Sequence, residues 1–395
     1  MAIANKVATF IERSSWIRKM FEEGARLKNE IGEENVFDFT LGNPTIEPPA
    51  ALQARLIALA KDPLPGMHRY MNNAGYDETR AAVAARLAND SGKPITKDQI
   101  IMTCGAGGAL NVVLKTILNP GEEVIILTPF FVEYKFYIDN HGGVPVEVST
   151  DLETFQPDIE AISSAINTKT RAIIINSPNN PTGVIYPQET LDALSSLLVA
   201  KEKELGQQIY VISDEPYARL SYDMKVPPVF ASIHNSVIVT SHSKDLALPG
   251  ERIGFLAANP EMAEVDQFMQ GAVFCNRVLG FVNAPALMQR LVAGLQNESV
   301  DIEIYRHKRD FLYKNLTDLG FLTVKPEGGF YFFPRSPLED DIAFVEKAQE
   351  YGLLLVPGAG FGAPGFFRIA YCIEDDVIER SLPAWEKLAL EVGLK

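Results

Sequence analysis

At 395 residues the chain is longer than one ordinary hydrophobic core organises, which points to two lobes. Its 47% hydrophobic and 22% charged residues are the balance of a folded globular protein rather than a disordered one. With 36 Lys and Arg against 51 Asp and Glu, the net charge of -15 speaks against sequence-independent nucleic-acid binding, while leaving room for a local basic pocket.

Residues 1–50 open with a helical stretch over Ser15–Lys28, followed by an extended segment, Phe37–Gly42. The N-terminus, Met1–Lys6, lacks the apolar core of a secretion signal. From residue 50 to 260 short β-branched runs alternate with longer helical patterns. The runs are Ile100–Met102, Val124–Leu127, Ala172–Ile175, Tyr210–Ile212 and Val237–Val239. Each is nearly continuous in apolar residues, as expected of strands covered on both faces. Ala109–Leu118 and Glu189–Glu204 are helix candidates between them. The alternation predicts an α/β class protein with a doubly wound, mainly parallel sheet in a large domain. Beyond residue 300 come a long helix candidate, Glu303–Leu319, and two hairpin-like apolar pieces, Gly329–Pro334 and Phe366–Cys372, with a helix at Ile342–Tyr351 between them. Both termini are therefore expected to build a smaller α+β domain. The expected division is 1–50 as a segment joining the small domain, 51–290 as the large domain and 291–395 as the small C-terminal domain.

Cys104, Cys275 and Cys372 are too few and too scattered for a disulfide framework or a zinc site, so no metal is expected and a reducing compartment is the simplest home. No apolar run approaches the roughly 18 to 20 residues of a membrane-spanning helix. The expectation is a cytoplasmic protein with no membrane partner.

Ligands of open α/β sheets bind outside the carboxyl ends of the strands, so the residues following each run carry the most information. After Ile100–Met102 comes the glycine-rich turn Gly105-Ala106-Gly107-Gly108, opening a helix whose N–H groups and dipole suit an anion. It is neither a dinucleotide fingerprint, since Leu110 stands where the third glycine would fall, nor a P-loop. After Val124–Leu127 come Phe130 and Phe131, which suit ring stacking or a core. After Ala172–Ile175, the proline-rich turn Asn176–Gly183 presents Asn180. Asp214 ends the next run, where it serves either as a helix N-cap or as a buried acid needing a cationic partner. Lys244 follows Val237–Val239, with Ser241, Ser243 and Arg252 close by; a low-dielectric strand end favours its neutral, nucleophilic amine. Singly, each feature has an ordinary structural explanation. Together they offer an anion cradle, aromatics, an amide, an acid and an amine, the set that a flat phosphorylated pyridine aldehyde needs.

The stretches "NSPNNPTG", "SDEPY", "SHSKDLALPGERIGF" and "FFRIAYC" resemble the fold-type I pyridoxal-phosphate aminotransferases of class I/II, of the aspartate aminotransferase kind. The resemblance runs from "FTLGNP" to "GFFRIAY", essentially the whole chain, and the S-x-S-K-x(7)-R core with its upstream asparagine and aspartate is highly specific. It implies pyridoxal 5′-phosphate as cofactor and Lys244 as the catalytic lysine that carries it and shuttles the proton. Asp214 resembles the partner of the pyridine nitrogen, and Asn180 and Tyr217 the pair on the phenolic oxygen. Arg252 and Ser241 resemble the phosphate ligands, joined by the backbone of Gly105, Ala106, Gly107 and Gly108, with Phe131 stacking on the ring. Arg368 resembles the arginine that binds the substrate carboxylate, whose fork suits a bidentate pair. Gly42 matches a glycine whose backbone approaches the substrate. Tyr70 matches a tyrosine reaching the neighbouring subunit's phosphate, implying a homodimer with shared sites. The sequence departs from the family at Ala106, Gly107 and Gly108, where a hydroxyl is common, at Phe131 in place of Trp or Tyr, and at Glu251 where many members have Trp.

The implied reaction moves an amino group from an L-amino acid to a 2-oxo acid within amino-acid biosynthesis. The common exchange pair of the family favours aspartate or glutamate with 2-oxoglutarate. A dicarboxylate would want a second cation; Arg277, Arg69 and Lys135 are candidates, each also an ordinary surface or interface charge. A C–S β-lyase is the enzymatic alternative, because the protein chiefly decides which bond to Cα breaks. A non-catalytic cofactor-binding module of a transcription regulator is the other; its DNA-binding domain would have no room before Phe37, and the net charge opposes it.

Overall fold

The protein is described from a computed structural model covering residues 2–13, 24 and 26–394. The helix expected over Ser15–Lys28 lies for the most part outside the described residues. In chain order the strands are β1 (Phe37–Asp38), β2 (Ile100–Thr103), β3 (Glu123–Thr128), β4 (Val144–Ser149), β5 (Thr170–Asn176), β6 (Tyr210–Asp214), β7 (Ser236–Ser241) and β8 (Gly254–Ala258). They continue as β9 (Tyr331–Phe332), β10 (Leu353–Leu354), β11 (Val356–Pro357) and β12 (Phe367–Ala370).

A seven-stranded sheet in the order β2-β8-β7-β6-β5-β3-β4 forms the large body of the fold. Pairs from β7 to β4 are parallel, while β8 runs antiparallel to both β7 and β2. Every residue of β2, β6, β7 and β8 is buried, because helices cover both faces of the sheet. One face packs into an apolar cluster with Val83, Leu191 and Phe230, and the other with Val113, Ile138 and Phe268. The five runs read from the sequence all become strands. Two more strands join the sheet. β4 is an edge strand of mixed exposure carrying Pro145, which an edge tolerates. β8 begins at Gly254, two residues after Arg252 of the lysine motif.

Gly329–Pro334 and Phe366–Cys372 contribute β9 and β12, which pair antiparallel with one another, and β11 extends that sheet on the other side of β12. β1 pairs in parallel with β10, bringing the N-terminal segment against C-terminal chain. Phe37, Phe39, Tyr305, Phe344 and Trp385 share an apolar cluster, so residues from both ends of the chain bury one another. Among the described residues no helix is long and apolar enough to cross a membrane.

Candidate active site

Parallel pairing brings the carboxyl ends of β3, β5, β6 and β7 to one edge of the sheet. The double reversal through β8 brings the end of β2 and the start of β8 there too, with Gly254 opposite both Ser241 and Thr103. A cavity of about 370 Å³ opens at this edge and is closed on its far side by Leu41, Gly42, Tyr331 and Arg368. Of the residues singled out from the sequence, Gly42, Ala106, Gly107, Phe131, Asn180, Asp214, Tyr217, Ser241, Lys244, Arg252 and Arg368 line it. Residues spread from 42 to 368 thus meet in one slot.

Lys244 lies three residues past β7, and its Nζ donates to the Gly42 carbonyl at 2.6 Å. Burial lowers its ammonium to about 8, and the charges of Arg368 and Arg252 push the same way. Asp214, the last residue of β6, is buried; desolvation raises its carboxyl to about 7 against the opposing hydrogen bond from Tyr134. The Tyr134 hydroxyl donates to Asp214 Oδ2 at 2.5 Å, and Oδ1 has no partner. The Asn176 amide donates to the Asp214 carbonyl at 2.7 Å, and Asn176 Oδ1 accepts from the Asn180 backbone N–H at 2.7 Å. This links the ends of β5 and β6 and fixes Asn180 over the slot.

Arg368, on β12, donates from Nη1 to Asn180 Oδ1 at 3.0 Å and from Nη2 to the Thr40 carbonyl at 2.6 Å. Its Nε is buried without a partner, and the guanidinium stands 4.6 Å from the Tyr331 ring centroid. Since Arg368 occupies Asn180 Oδ1, the amide nitrogen of Asn180 is the end left to donate. The Tyr217 hydroxyl meets that of Tyr331 at 3.1 Å. Ser241 donates to Ser243 at 3.0 Å, and Arg252 holds the Pro249 carbonyl at 3.1 Å.

Three predicted residues stand elsewhere. Gly105 opens the helix Gly105–Ile117 with φ +72°, and a Cβ there would lie 2.8 Å from Arg252 Nη2. Its glycine nature makes room for the arginine that lines the cavity. Gly108 is buried outside the cavity, facing Cys104 and Phe281. Tyr70 is 89% exposed and away from the slot of its own chain. The candidate cations also lie outside: Lys135 pairs with Glu147 at 2.6 Å, Arg277 stands over the Phe274 ring, and Arg69 is exposed. Sequence reading missed Tyr134, Asn176, Tyr331 and Glu133. Asn176 ends β5 and so obeys the strand-end rule, whereas Glu133 and Tyr134 come from a helix and Tyr331 from a strand of the smaller sheet.

An amine with depressed basicity and a buried carboxyl with one unpartnered oxygen, lining one cavity, suit imine chemistry on a nitrogen heterocycle and point to the class of lysine-dependent carbonyl-cofactor enzymes. The profile of the family "Aminotransferase class I and II" matches residues 34–384, and the chain belongs to that family. It is 33% identical to the aspartate/prephenate aminotransferase of Thermus thermophilus, over 88% of this chain and 90% of that one. Its fold matches the crystal structure of an aminotransferase from Eubacterium rectale with a TM-score of 0.96, at 39% identity and 99% coverage of both chains. It also matches the aspartate aminotransferase of Thermotoga maritima with a TM-score of 0.86, at 27% identity, covering 98% of this chain and 99% of that one.

The protein is accordingly a transaminase acting on amino acids, and the family uses pyridoxal 5′-phosphate. The residues fit that group. Asp214 Oδ1 is a buried acceptor lacking the donor that a protonated ring nitrogen supplies, and Arg252 with the start of the helix Gly105–Ile117 offers charge and N–H groups to a phosphate.

Proposed function

We propose a ping-pong transfer from an L-amino acid to a 2-oxo acid, with Lys244 as proton carrier and Arg368 as the anchor for the substrate α-carboxylate. The observation that carries this reading is Lys244 itself, half-buried in the cavity with its ammonium lowered to about 8. About a tenth of the amine is then free at pH 7, against far less for an ordinary lysine, ready to accept the Cα proton and return it on the far side of the amino nitrogen. When bound, pyridoxal phosphate supplies an electron-accepting ring that stabilises negative charge at the substrate Cα. Asp214 would hold the ring nitrogen, its own charge kept in place by Tyr134. Arg252, Ser241 and the Ala106 and Gly107 backbone would hold the phosphate, and Phe131 would cover the ring. Asn180 and Tyr217 would donate to the phenolic oxygen. Arg368 would exchange its bonds to Asn180 and Thr40 for the carboxylate, whose two oxygens match its fork.

Relatives named for aspartate support an acidic donor, and 2-oxoglutarate is the acceptor we infer to go with it. Glu133 on the cavity wall, with an unpartnered oxygen, favours instead a side chain that donates a hydrogen bond. Exposed Tyr70 and the exposed Phe274 and Val278 on one helix support a homodimer in which Tyr70 serves the neighbouring site. The three free cysteines support a reducing, cytoplasmic setting, and the activity fits amino-acid biosynthesis.

The test adds single amino acids to cofactor-loaded protein. Absorbance of the lysine-bound cofactor should fall and then return on adding a 2-oxo acid. Release of ammonia and a keto acid without any need for an acceptor would replace transfer by β-elimination, and Lys244→Ala with full turnover would refute the role of the lysine. Sedimentation at micromolar concentration tests the dimer, and a monomer that retains full activity would overturn it.

A further inference from the structure

Among the described residues, the acids lining the cavity are Asp214 and Glu133, and the roles above leave Glu133 unused. Glu133 begins the helix Glu133–Asn140, directly before Tyr134, which holds Asp214. Tyr137, one turn further on the same helix face, lines the cavity beside it. The Oε2 atom of Glu133 is buried and has no hydrogen-bond partner. Desolvation raises the carboxyl above its ordinary range, opposed by its own backbone N–H and by the Arg368 charge. Its charge is felt in turn at Tyr331 and Tyr137. Glu133 therefore lines the same cavity as Arg368 and Tyr331, where the Arg368 charge reaches it while the guanidinium bonds Asn180 and Thr40 instead.

A substrate that places its carboxylate on Arg368 and its Cα hydrogen toward Lys244 has one direction left for its side chain, along the remaining wall. We propose that Glu133 selects the amino donor there, accepting a hydrogen bond from a side chain that ends in an ammonium, amide or hydroxyl group and disfavouring one that ends in a carboxylate. The proposal rests on the transfer reading above and names its substrate class. A buried acceptor without a partner gains from a donor, and a hydrogen bond to a charged group is worth roughly a ten- to hundredfold change in affinity. A second carboxylate at the same place adds repulsion in a poorly hydrated slot.

The isosteric pairs asparagine/aspartate and glutamine/glutamate separate this from size or shape. Single-turnover kcat/KM is measured for each with the cofactor-loaded protein and with Glu133→Gln and Glu133→Ala. The wild type should favour the amide over the acid in at least one pair by about tenfold or more, and Glu133→Gln should shift that ratio toward the acid by about tenfold. A structural role for Glu133 would lower both members of a pair together and leave the ratio in place. A wild type that prefers the acid in both pairs overturns the proposal, with no variant needed. So does an unchanged ratio in both variants. Absence of reaction with every amino acid would refute the transfer reading itself, a different result from a reaction with the wrong selectivity.

Discussion

Asp214→Asn separates the cost of the site from its use. Burial raises the Asp214 carboxyl from 3.8 to about 7, so the folded chain without its cofactor binds this proton more tightly than the unfolded chain does. Stability linked to it is fully present below 3.8, declines as pH rises, and is wholly lost above about 7. A displacement of that size corresponds to about 4 kcal/mol, reduced to the extent that water enters the slot. Asparagine has the same shape, reaches the Tyr134 hydroxyl and carries no titration. The cofactor-free Asn variant should therefore exceed the cofactor-free wild type in urea-unfolding stability. That excess should widen by about 2 kcal/mol between pH 5.5 and pH 8. Glu215, also raised to about 7 by burial, is common to both proteins and largely drops out of the difference. With pyridoxal phosphate bound the order should reverse on the proposed role of Asp214, because the wild-type carboxylate would hold a cationic ring nitrogen and the amide would not. Denaturant titrations at the two pH values, with and without cofactor, read all four states. A stability gap independent of pH would refute the account of Asp214 as a carboxyl held at its cost for a cationic partner.

Uptake of pyridoxal phosphate by the cofactor-free protein should accelerate as pH rises through about 8, where Lys244 loses its proton; stopped-flow absorbance that stays flat from pH 7 to 9 would contradict this. Arg368→Lys keeps the charge but loses the fork. It should raise the KM for amino acids by roughly ten- to a hundredfold in steady-state assays, with a smaller effect on kcat. Gly42→Ala would put a Cβ 1.8 Å from the Tyr331 hydroxyl, on the residue whose carbonyl holds Lys244. The variant should lose about 1–3 kcal/mol by thermal unfolding and turn over more slowly, and an unchanged melting temperature would show that the approach is not tight.

How much of this was legible in the sequence follows from which physical rule placed each residue. Strands buried on both faces must be apolar nearly throughout, so β2, β3, β5, β6 and β7 announce themselves. Their parallel order then assigns Asp214, Asn180 and Lys244 to one edge before any coordinates are known. β4 and β8 were silent for opposite reasons. An edge strand with Pro145 needs no continuous apolar run, and Gly254-Phe255-Leu256-Ala257-Ala258 carries no β-branched residue and is attached to a motif already spoken for. The missed side chains belong to a different geometry. Glu133 and Tyr134 enter from a helix, where a residue's neighbours lie three and four positions away, and Tyr331 enters from a strand that pairs only with distant chain. No strand-end rule reaches them. Motif resemblance does not reach Glu133 either, because the quoted stretches gather the lysine, aspartate and phosphate ligands, which serve the cofactor. The residues that meet the substrate's variable side chain have no common chemistry to preserve. Glu133 is of this second kind: its meaning lies in an unpaired oxygen in the cavity that Arg368 also lines, which exists only once residues 133 and 368 have been brought together.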